Sequence, residues 1–385
     1  ENPETCVLDG GIELPPFKVG ANGVWETEVP DGIEFEQLWI GDRRATRART
    51  PNRYWFYMKE PCFDAPDSAF FANPKDVARL AALTKRELDR VLVSYWQSWD
   101  MGYTRIGSLD AKSGRLDILT KPYWPFFYWN RTCPRYALEN YRAALDAPGE
   151  WFLDLDAGKL LYLPLPGETT KTARAFVPRT ETLVRFEGDR KAGRVVSDVT
   201  FVGVGFEHTS LSMSPKGLTN FQAAMNVKGA ALSGKGVENL AIRNCRVAHT
   251  ASHGMMLRNG SRNVTVEHSL FEDLGAGAIG FSGTGSPKDE PGINEGLTVR
   301  DSILRHGGRV VQGAIGVWIG HAHHVRVEHN DISDFFYTGI SIGWLWGYKP
   351  TINEGNRIAF NRIRDNRIFF EDLKFNADYI QSVNK

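Results

Sequence analysis

A repeat between Val199 and Asp365 constrains the fold of this chain more than any other feature. Six segments share one internal spacing: an apolar residue first, a second apolar residue five positions on, and a His or Asp seven positions on. The segments start at residues 201, 242, 266, 299, 327 and 358, so their steps are 41, 24, 33, 28 and 31 residues. Fixed internal spacing with variable steps is typical of a solenoid. We expect the insertions to fall at one loop of the repeat.

The repeating unit is predicted to be β-structure. Apolar and polar residues alternate at period two around Val266, Val299 and Val327, and Gly and Asn punctuate every unit. A step of 24 residues matches one coil of a right-handed parallel β-helix, with three short strands and three turns. The Leu-x-x-Leu-x-Leu pattern of leucine-rich repeats is absent from the sequence. The predicted fold is therefore all-β: a right-handed parallel β-helix (solenoid) interrupted by a small α+β insertion module.

Three regions are predicted along the chain. Residues 1–104 form an N-terminal cap and a first coil, with a short helical excursion over residues 73–100. Asn73-Pro74 and the Thr84 to Glu87 capping box mark helix starts there, and Leu88, Val91, Leu92 and Tyr95 follow at helical spacing. Residues 105–180 form the α+β insertion module, and residues 181–385 form the β-helix repeats.

Stacking the six segments about 4.8 Å apart, the spacing of paired strands, generates two columns of side chains. The first column has small or amide side chains that suit an inward turn, where Asn can hydrogen-bond the neighbouring coil. The second column consists entirely of residues that titrate, and two interpretations stay open: turn chemistry, or an acid-lined strip beside a substrate groove. In chain order the columns are Val204, Cys245, Ser269, Ser302, Asn330 and Asn361, and His208, His249, Asp273, His306, Asp334 and Asp365.

Composition excludes several classes of function. The 46 basic and 46 acidic residues cancel, which argues against nucleic acid as the main partner because phosphate binding needs a basic excess. No apolar run reaches 18 residues, so no membrane span is expected. The four cysteines are widely scattered, and we expect buried thiols. The first residue is Glu1 and not Met, so we expect either a processed mature form or a fragment whose signal peptide is absent.

Several motifs resemble glycoside hydrolase family 141. They are Arg47–Asn52, Ala143–Trp151 and Leu161–Pro164 in the first half, and Arg246–Thr250, Leu274–Gly277, His306–Arg309, Gly316–His321 and Tyr337–Tyr348 in the coils. The resemblance spans roughly residues 5–363. It implies a secreted or periplasmic carbohydrate-active β-helix enzyme, with α-L-fucosidase and xylanase activities on plant cell-wall polysaccharide. The pattern also leads us to expect further coils after residue 365, so we expect a chain that is C-terminally shortened or has diverged there.

Glycoside cleavage usually needs two carboxyl groups, about 5–5.5 Å apart for retention and roughly 6.5–9.5 Å apart for inversion. Asp334 and Asp365 lie on adjacent coils, which places them about 5 Å apart. Asp273 and Asp334 lie two coils apart, at about 10 Å, with His306 between them. Both pairs remain candidates, and Asp334 is favoured because it directly precedes a Phe335–Gly339 loop.

Substrate binding is assigned to aromatic and imidazole side chains. His249, His306 and His321 offer a donor and an acceptor to sugar hydroxyls. Trp318, Tyr337, Trp344 and Trp346 are candidates for stacking on sugar, with core packing as the alternative. His321, His323 and His324 offer imidazole ligands for zinc, but two adjacent members in one turn disfavour this, so neither metal nor cofactor is expected.

The expected partner is a polysaccharide or oligosaccharide, and the sequence does not indicate the oligomeric state. Two other functions stay open. A β-helix polysaccharide lyase needs a Lys or Arg base near Ca²⁺-binding Asp residues, and the titratable column contains no Lys. A non-catalytic carbohydrate-binding β-helix, or a truncated inactive fragment, is the third interpretation.

Overall fold

The structure, a computed structural model, describes residues 2–128, 134–345 and 350–366, and the backbone of the strand Ile380–Ser382. The chain divides into two compact units. The first consists of Glu1–Gly11, Pro178–Leu211 and Ala223–Lys385, and the second of Ile12–Val177 and Ser212–Gln222. Each unit is described by itself below.

The first unit is a parallel β-helix with three sheets. The first sheet contains Val184–Glu187, Ala230–Lys235, His253–Arg258, Ile279–Ser282, Val317–Ile319, Ile340–Ile342 and Ile380–Ser382. The second contains Val196–Ser197, Thr200–Val202, Val237–Arg243, Arg262–Glu267, Asn294–Arg300, Ala322–His323, Arg326–Glu328 and Arg357–Ala359. The third contains Val7–Asp9, Gly205–Glu207, Arg246–Thr250, Leu270–Leu274, Ile303–Arg305, Asp331–Ser333 and Arg362–Arg364. Short 3₁₀ turns occur at Arg190–Ala192 and Glu290–Gly292.

The sequence repeat corresponds to the register of these sheets. The first apolar residues of all six segments are paired in one ladder, from Phe201 through Ile242 to Ile358. The second apolar residues form another, from Phe206 through Phe271 to Ile363. Both ladders contribute to the continuous core of the unit. Because a one-residue slip would turn every apolar side chain outward, the core itself holds the register.

The column of small and amide residues forms an inward ladder of hydrogen bonds. The backbone N–H of Cys245 donates to Ser269 Oγ, that of Ser269 to Ser302 Oγ, and that of Ser302 to Asn330 Oδ1, each at 3.1 Å. Asn330 continues the ladder to Asn361 Oδ1 and also donates to the Val299 carbonyl at 2.9 Å. The structural interpretation is confirmed for Ser269, Ser302, Asn330 and Asn361, because each of these side chains accepts a hydrogen bond from a backbone N–H of the preceding coil.

Insertions occur at two corners of the coil, and the expectation of a single loop is wrong. Segments 283–293 and 343–356 connect the first sheet to the second, whereas 208–229 and 306–316 connect the third sheet to the first. The spacing of the segments does not show at which corner an insertion lies, because an insertion at either corner lengthens the step between segments in the same way.

The second unit is built from short and mainly antiparallel strands. Its helices are Pro74–Val77 and Lys85–Leu88, with 3₁₀ turns at Ala21–Gly23, Ala78–Ala82 and Arg142–Ala144. Two hydrophobic cores lie inside it. Its strands are Gly11–Glu13, Lys18–Val19, Trp25–Glu28, Trp39–Ile40, Arg43–Arg44, Thr46–Arg47, Arg49–Thr50, Phe56–Tyr57, Glu60–Pro61, Ala69–Phe71, Leu92–Trp96, Met101–Asp110, Arg115–Ile118, Arg135–Glu139, Glu150–Asp154, Lys159–Tyr162, Ala175–Pro178 and Gly217–Leu218.

This division differs from the expected boundaries at residues 104 and 180. Residues 12–104 pack with residues 105–177 because their strands pair across the sequence, as Trp25–Glu28 does with Lys159–Tyr162. The helix starts at Asn73 and Thr84 are confirmed by side-chain caps, including a complete capping box at Thr84. The helical spacing beyond Leu88 was misleading, because Leu92–Trp96 is a strand paired on both edges.

The expected burial of the cysteines holds for Cys62 and Cys245, but Cys6 is exposed, and Cys133 lies outside the described residues. Within the part of the chain that the structure describes, none of the helices has the length and apolar character needed to cross a membrane.

His253 is a buried histidine whose two ring nitrogens are both occupied. Its Nδ1 accepts from the Gly277 N–H at 3.2 Å, so the proton sits on Nε2, which donates to the Ala224 carbonyl at 3.2 Å. Burial lowers the pKa of His253 to about 4. The imidazole is therefore a neutral structural group that links three backbone segments.

Replacing Asn330 by Ala should destabilise the β-helix by about 2–6 kcal/mol, because two backbone groups lose their partners at roughly 1–3 kcal/mol each. Urea unfolding measures the change. Asn226→Ala is the matched control, since Asn226 is exposed and makes no hydrogen bond among the described residues. Equal midpoints for the two variants would show that the ladder does not stabilise the coil.

The buried His253 should make stability fall as the pH drops from about 6.5 to about 4. Over that range His253 binds a proton in the unfolded chain but not in the folded chain. The free energy of unfolding therefore decreases by on the order of 3 kcal/mol. Urea midpoints measured across this range for wild type and His253→Gln test this. The wild type should show the steeper loss, and parallel curves would contradict the assignment.

Candidate active site

The titratable column lies at the end of the third sheet, where the chain turns towards the first. All six residues, from His208 to Asp365, have left-handed backbones with φ between 47° and 56°. Asp and His are among the few side chains that tolerate this conformation, so turn chemistry explains part of the pattern. Their stacking on successive coils is confirmed by the register of the flanking strands. What distinguishes the members is therefore their partners and exposure.

Each histidine of the column is paired with an aspartate on an adjacent coil. His208 Nδ1 lies 3.0 Å from Asp9 Oδ1, His249 Nδ1 lies 2.9 Å from Asp273 Oδ2, and His306 Nδ1 lies 2.6 Å from Asp334 Oδ2. A ring nitrogen beside a carboxylate carries the proton, so in each neutral imidazole Nε2 is the acceptor. The column is thus a series of oriented His–Asp pairs.

The His249–Asp273 pair is largely enclosed, with side chains 3% and 19% exposed. The ring of His249 stacks on that of His208 with centroids 5.2 Å apart. Its Nε2 accepts from Arg246, at 3.3 Å, so both ring nitrogens are engaged. This arrangement fixes the orientation of the imidazole and, through it, of the Asp273 carboxylate.

An ion-pair network lies on the outer face of the third sheet beside this pair. Arg246 bridges Glu207 and Glu272, and Arg305 binds the second oxygen of Glu272 at 2.8 Å. Burial would raise the pKa of Glu272, but the hydrogen bond from Arg305 and the charge of Arg246 outweigh it, and the net pKa is lowered. Glu272 therefore stays ionised and anchors the two arginines.

The His306–Asp334 pair is the accessible one, with side chains 47% and 44% exposed. Arg309 forms an ion pair with Asp334 Oδ2, and its guanidinium lies 5.0 Å from the Phe336 ring centroid. These contacts hold the Asp334 carboxylate against His306, on the preceding coil. The Nε2 of His306 makes no hydrogen bond to another described residue and faces solvent.

Asp365 has a different environment from Asp334. Its carboxylate is 61% exposed and pairs with the neighbouring Arg364 at 2.8 Å. Asp334, one coil away, points back to His306 rather than towards Asp365. The structure therefore brings Asp273, His306 and Asp334 into one strip and leaves Asp365 at its margin.

The predicted aromatic platform lies on the outer face of the first sheet. Trp318 projects outward in register with Gly280 and Ser341, because its neighbours Val317 and Ile319 fill the core. A side chain on Gly280 would collide with Met256, so this glycine leaves room for the two large side chains on either side.

The indoles of Trp318 and Trp344 meet edge to face, with centroids 5.8 Å apart. Each is only 4% exposed, which agrees with the core-packing alternative, and Trp346 lies outside the described residues. Trp344 donates to Ser341 Oγ at 3.1 Å, whereas the buried Trp318 Nε1 has no acceptor among the described residues. Trp344 also has φ of 76°, which is strained for a bulky side chain.

The remaining predicted binding residues are less accessible than the column. Tyr337, in the turn that leads from Asp334 to the first sheet, is buried. His321 is half-buried, and burial lowers its pKa. Its Nδ1 has no hydrogen-bond partner within the described residues.

Several residues of the strip escaped the sequence reasoning. Asp9 was missed because its strand, Val7–Asp9, joins the third sheet from far away in sequence. Arg246 and Glu272 were missed although they occupy outward positions next to the column, which the period of two could have identified. Arg309 follows His306 by three residues, and only the conformation of the turn brings it into contact with Asp334.

Comparisons with known proteins agree with this architecture. A family model described as a right-handed β-helix region matches residues 230–377, and one described as the GH141 insertion domain matches residues 22–165. No curated protein sequence matches the chain.

Two solved structures are similar to the chain. One, described as a glycoside hydrolase, has a TM-score of 0.81 and 22% identity, over 92% of this chain and 69% of that one. The other, XylC in complex with xylose, covers 92% of this chain and 51% of that one at 10% identity, and its TM-score of 0.38 supports no argument.

The first similarity establishes the fold. The insertion-domain match supports a relationship to glycosidases. The chain thus combines a right-handed parallel β-helix with a segment that matches the GH141 insertion domain.

Proposed function

We propose that this protein is a glycoside hydrolase that acts on plant cell-wall polysaccharide or its oligosaccharides, with α-L-fucosidase-like or xylanase-like activity. The insertion-domain match and the motifs shared with glycoside hydrolase family 141 support this substrate class. Action on such polymers requires the enzyme outside the cytoplasm, so we place it in a secreted or periplasmic location.

The observation that carries the proposal is the accessible His306–Asp334 pair beside the enclosed Asp273. His306 and Asp334 are both nearly half exposed, so a substrate can reach both side chains. Asp273 is 19% exposed and is oriented by His249. The strip thus combines two carboxyl groups in different environments, which is how glycosidases separate an acid from a base.

Spacing favours Asp273 and Asp334 as the pair. They lie two coils apart, about 10 Å at the rise of paired strands, which is close to the range of roughly 6.5–9.5 Å that suits inversion. Asp334 and Asp365 lie about one rise apart, but Asp334 is turned towards His306 and Arg309. We therefore assign inversion of the anomeric configuration.

The roles follow from exposure and partners. Asp334 accepts from His306 and Arg309 and serves as the base that draws a proton from the attacking water. We assign Asp273, the less exposed of the two, as the acid that protonates the leaving oxygen. His306 lies between them and presents Nε2 to a sugar hydroxyl.

Trp318 is assigned to substrate positioning on the neighbouring first sheet. Its buried Nε1 lacks an acceptor among the described residues, and an unpaired buried donor is costly unless a ligand supplies one. Tyr337, Trp344 and His321 remain candidates for the same surface.

A glycan-panel hydrolysis assay tests the proposed activity. Aryl α-L-fucosides, xylans and pectic oligosaccharides are incubated with the protein, and reducing-end release is measured. Release from at least one plant cell-wall glycan is expected, and NMR of the first product should show the inverted anomer. Binding without release from any of these substrates would overturn the proposal.

Asp334→Asn should lower kcat on the best substrate by about 10²- to 10⁴-fold, the range for loss of a general acid or base. Asn tolerates the left-handed backbone of position 334, so the coil should stay folded. Asp301→Asn is the matched control, because Asp301 is also exposed and left-handed but lies at the turn between the second and third sheets. Asp301→Asn should keep wild-type kcat, and an Asp334→Asn variant of equal activity would remove Asp334 from the mechanism.

A further inference from the structure

Two adjacent histidines and one glutamate converge on the outer face of the second sheet. Glu295 and His323 are paired in register on neighbouring parallel strands, and the residues before them, Asn294 and Ala322, are fully buried. Because side chains alternate along a strand, Glu295 and His323 both point outward. They therefore stand side by side on successive coils.

His324 returns to the same carboxylate because its backbone is left-handed, with φ of 54°. Its Nδ1 lies 3.2 Å from Glu295 Oε1, and His323 Nε2 lies 3.8 Å from Glu295 Oε2. The two imidazole centroids are 4.7 Å apart. One carboxylate thus faces a nitrogen of each ring through a different oxygen.

The next coil holds the His324 ring in place. The His324 N–H donates to the Glu354 carbonyl at 3.0 Å. A side chain at Gly355 would come within 2.5 Å of His324 Cδ2, so only glycine leaves space for the imidazole. The orientation of this ring is therefore set by the backbone rather than by chance packing at a surface.

Glu295 differs from the other glutamates of the second sheet in its partners. Glu238 pairs with Arg190, Glu267 with Arg243 and Arg300, and Glu328 with Arg357. Arg262 is in register with Glu295, but its guanidinium is engaged by Glu290. Glu295 therefore meets two imidazoles where its counterparts meet guanidinium groups.

The three ligand atoms all lie within 4.8 Å of one another, and no other group of three His, Cys, Asp or Glu residues does so among residues 2–128, 134–345 and 350–366. Tetrahedral zinc with bonds near 2.0–2.1 Å needs neighbouring ligand atoms about 3.3 Å apart. Metal binding therefore requires the side chains to rotate towards one another.

We propose that Glu295, His323 and His324 form a site for a divalent transition-metal ion of the zinc class. Two imidazole nitrogens and one carboxylate oxygen are the donor set that zinc takes with an open fourth position. Glu295 and His324 are 37% and 58% exposed, so water or a ligand can fill that position. The site is independent of the His306–Asp334 strip and of the proposed hydrolase activity.

Isothermal titration of the untagged, metal-free protein with ZnCl₂ at pH 7.5 tests the site. One equivalent should bind, and the thermal midpoint should rise with zinc concentration, because a ligand of the folded state stabilises it. Glu295→Gln, His323→Ala and His324→Asn should each weaken binding at least about ten-fold.

His329→Asn is the matched control for His324→Asn, since His329 is also exposed and left-handed on the same sheet. Cys6→Ser excludes zinc capture by the exposed thiol. Both variants should bind zinc as the wild type does. Absence of binding, or binding that persists undiminished in Glu295→Gln and His324→Asn, would overturn the proposal, and circular dichroism verifies that each variant is folded.

Discussion

The register between successive coils is the constraint on which the rest of the β-helix depends. Backbone hydrogen bonds of the parallel ladders place equivalent residues about 4.8 Å apart, and the apolar ladders from Phe201 and Phe206 make any slip costly. The polar ladder through Ser302 and Asn330 adds a second lock, because each side chain satisfies a buried N–H of the preceding coil. A residue type repeated in sequence thereby becomes a continuous line in space.

This constraint also explains why the residue types of the titratable column do not distinguish turn chemistry from an active site. Its positions have left-handed backbones, which favour Asp, Asn and His whatever the function. Asp301 and His329 occupy equivalent conformations at another corner, so residue type and φ cannot single out an active site. Partners and exposure do so: His249 is enclosed between Arg246 and Asp273, whereas His306 and Asp334 are open to solvent.

The register between coils also determines which parts of the fold could be predicted from the sequence. Within the coils, interactions connect equivalent positions of adjacent repeats, so spacing alone predicted the ladders and the stacking of Asp273, His306 and Asp334. The second unit depends on pairings between strands that are distant in sequence, such as Trp25–Glu28 with Lys159–Tyr162. The sequence of a short strand does not indicate which distant strand it pairs with. The sequence left open whether Trp318 is exposed or buried, because period two identifies an outward position but not what covers it.

Outward positions of a solenoid are freer to differ than inward ones, because the core and the polar ladder already hold the coil together. On the second sheet, Glu267 is neutralised by arginines, as most outward glutamates are, and such surface pairs contribute little to stability. Exchanging those arginines for His323 and His324 around Glu295 therefore costs the fold little. In the same way, the outward positions of the third sheet tolerate the solvent-exposed pair of His306 and Asp334 beside the Arg246–Glu272 network. A rigid inner ladder thus allows separate chemical sites to arise on different faces of one coil stack.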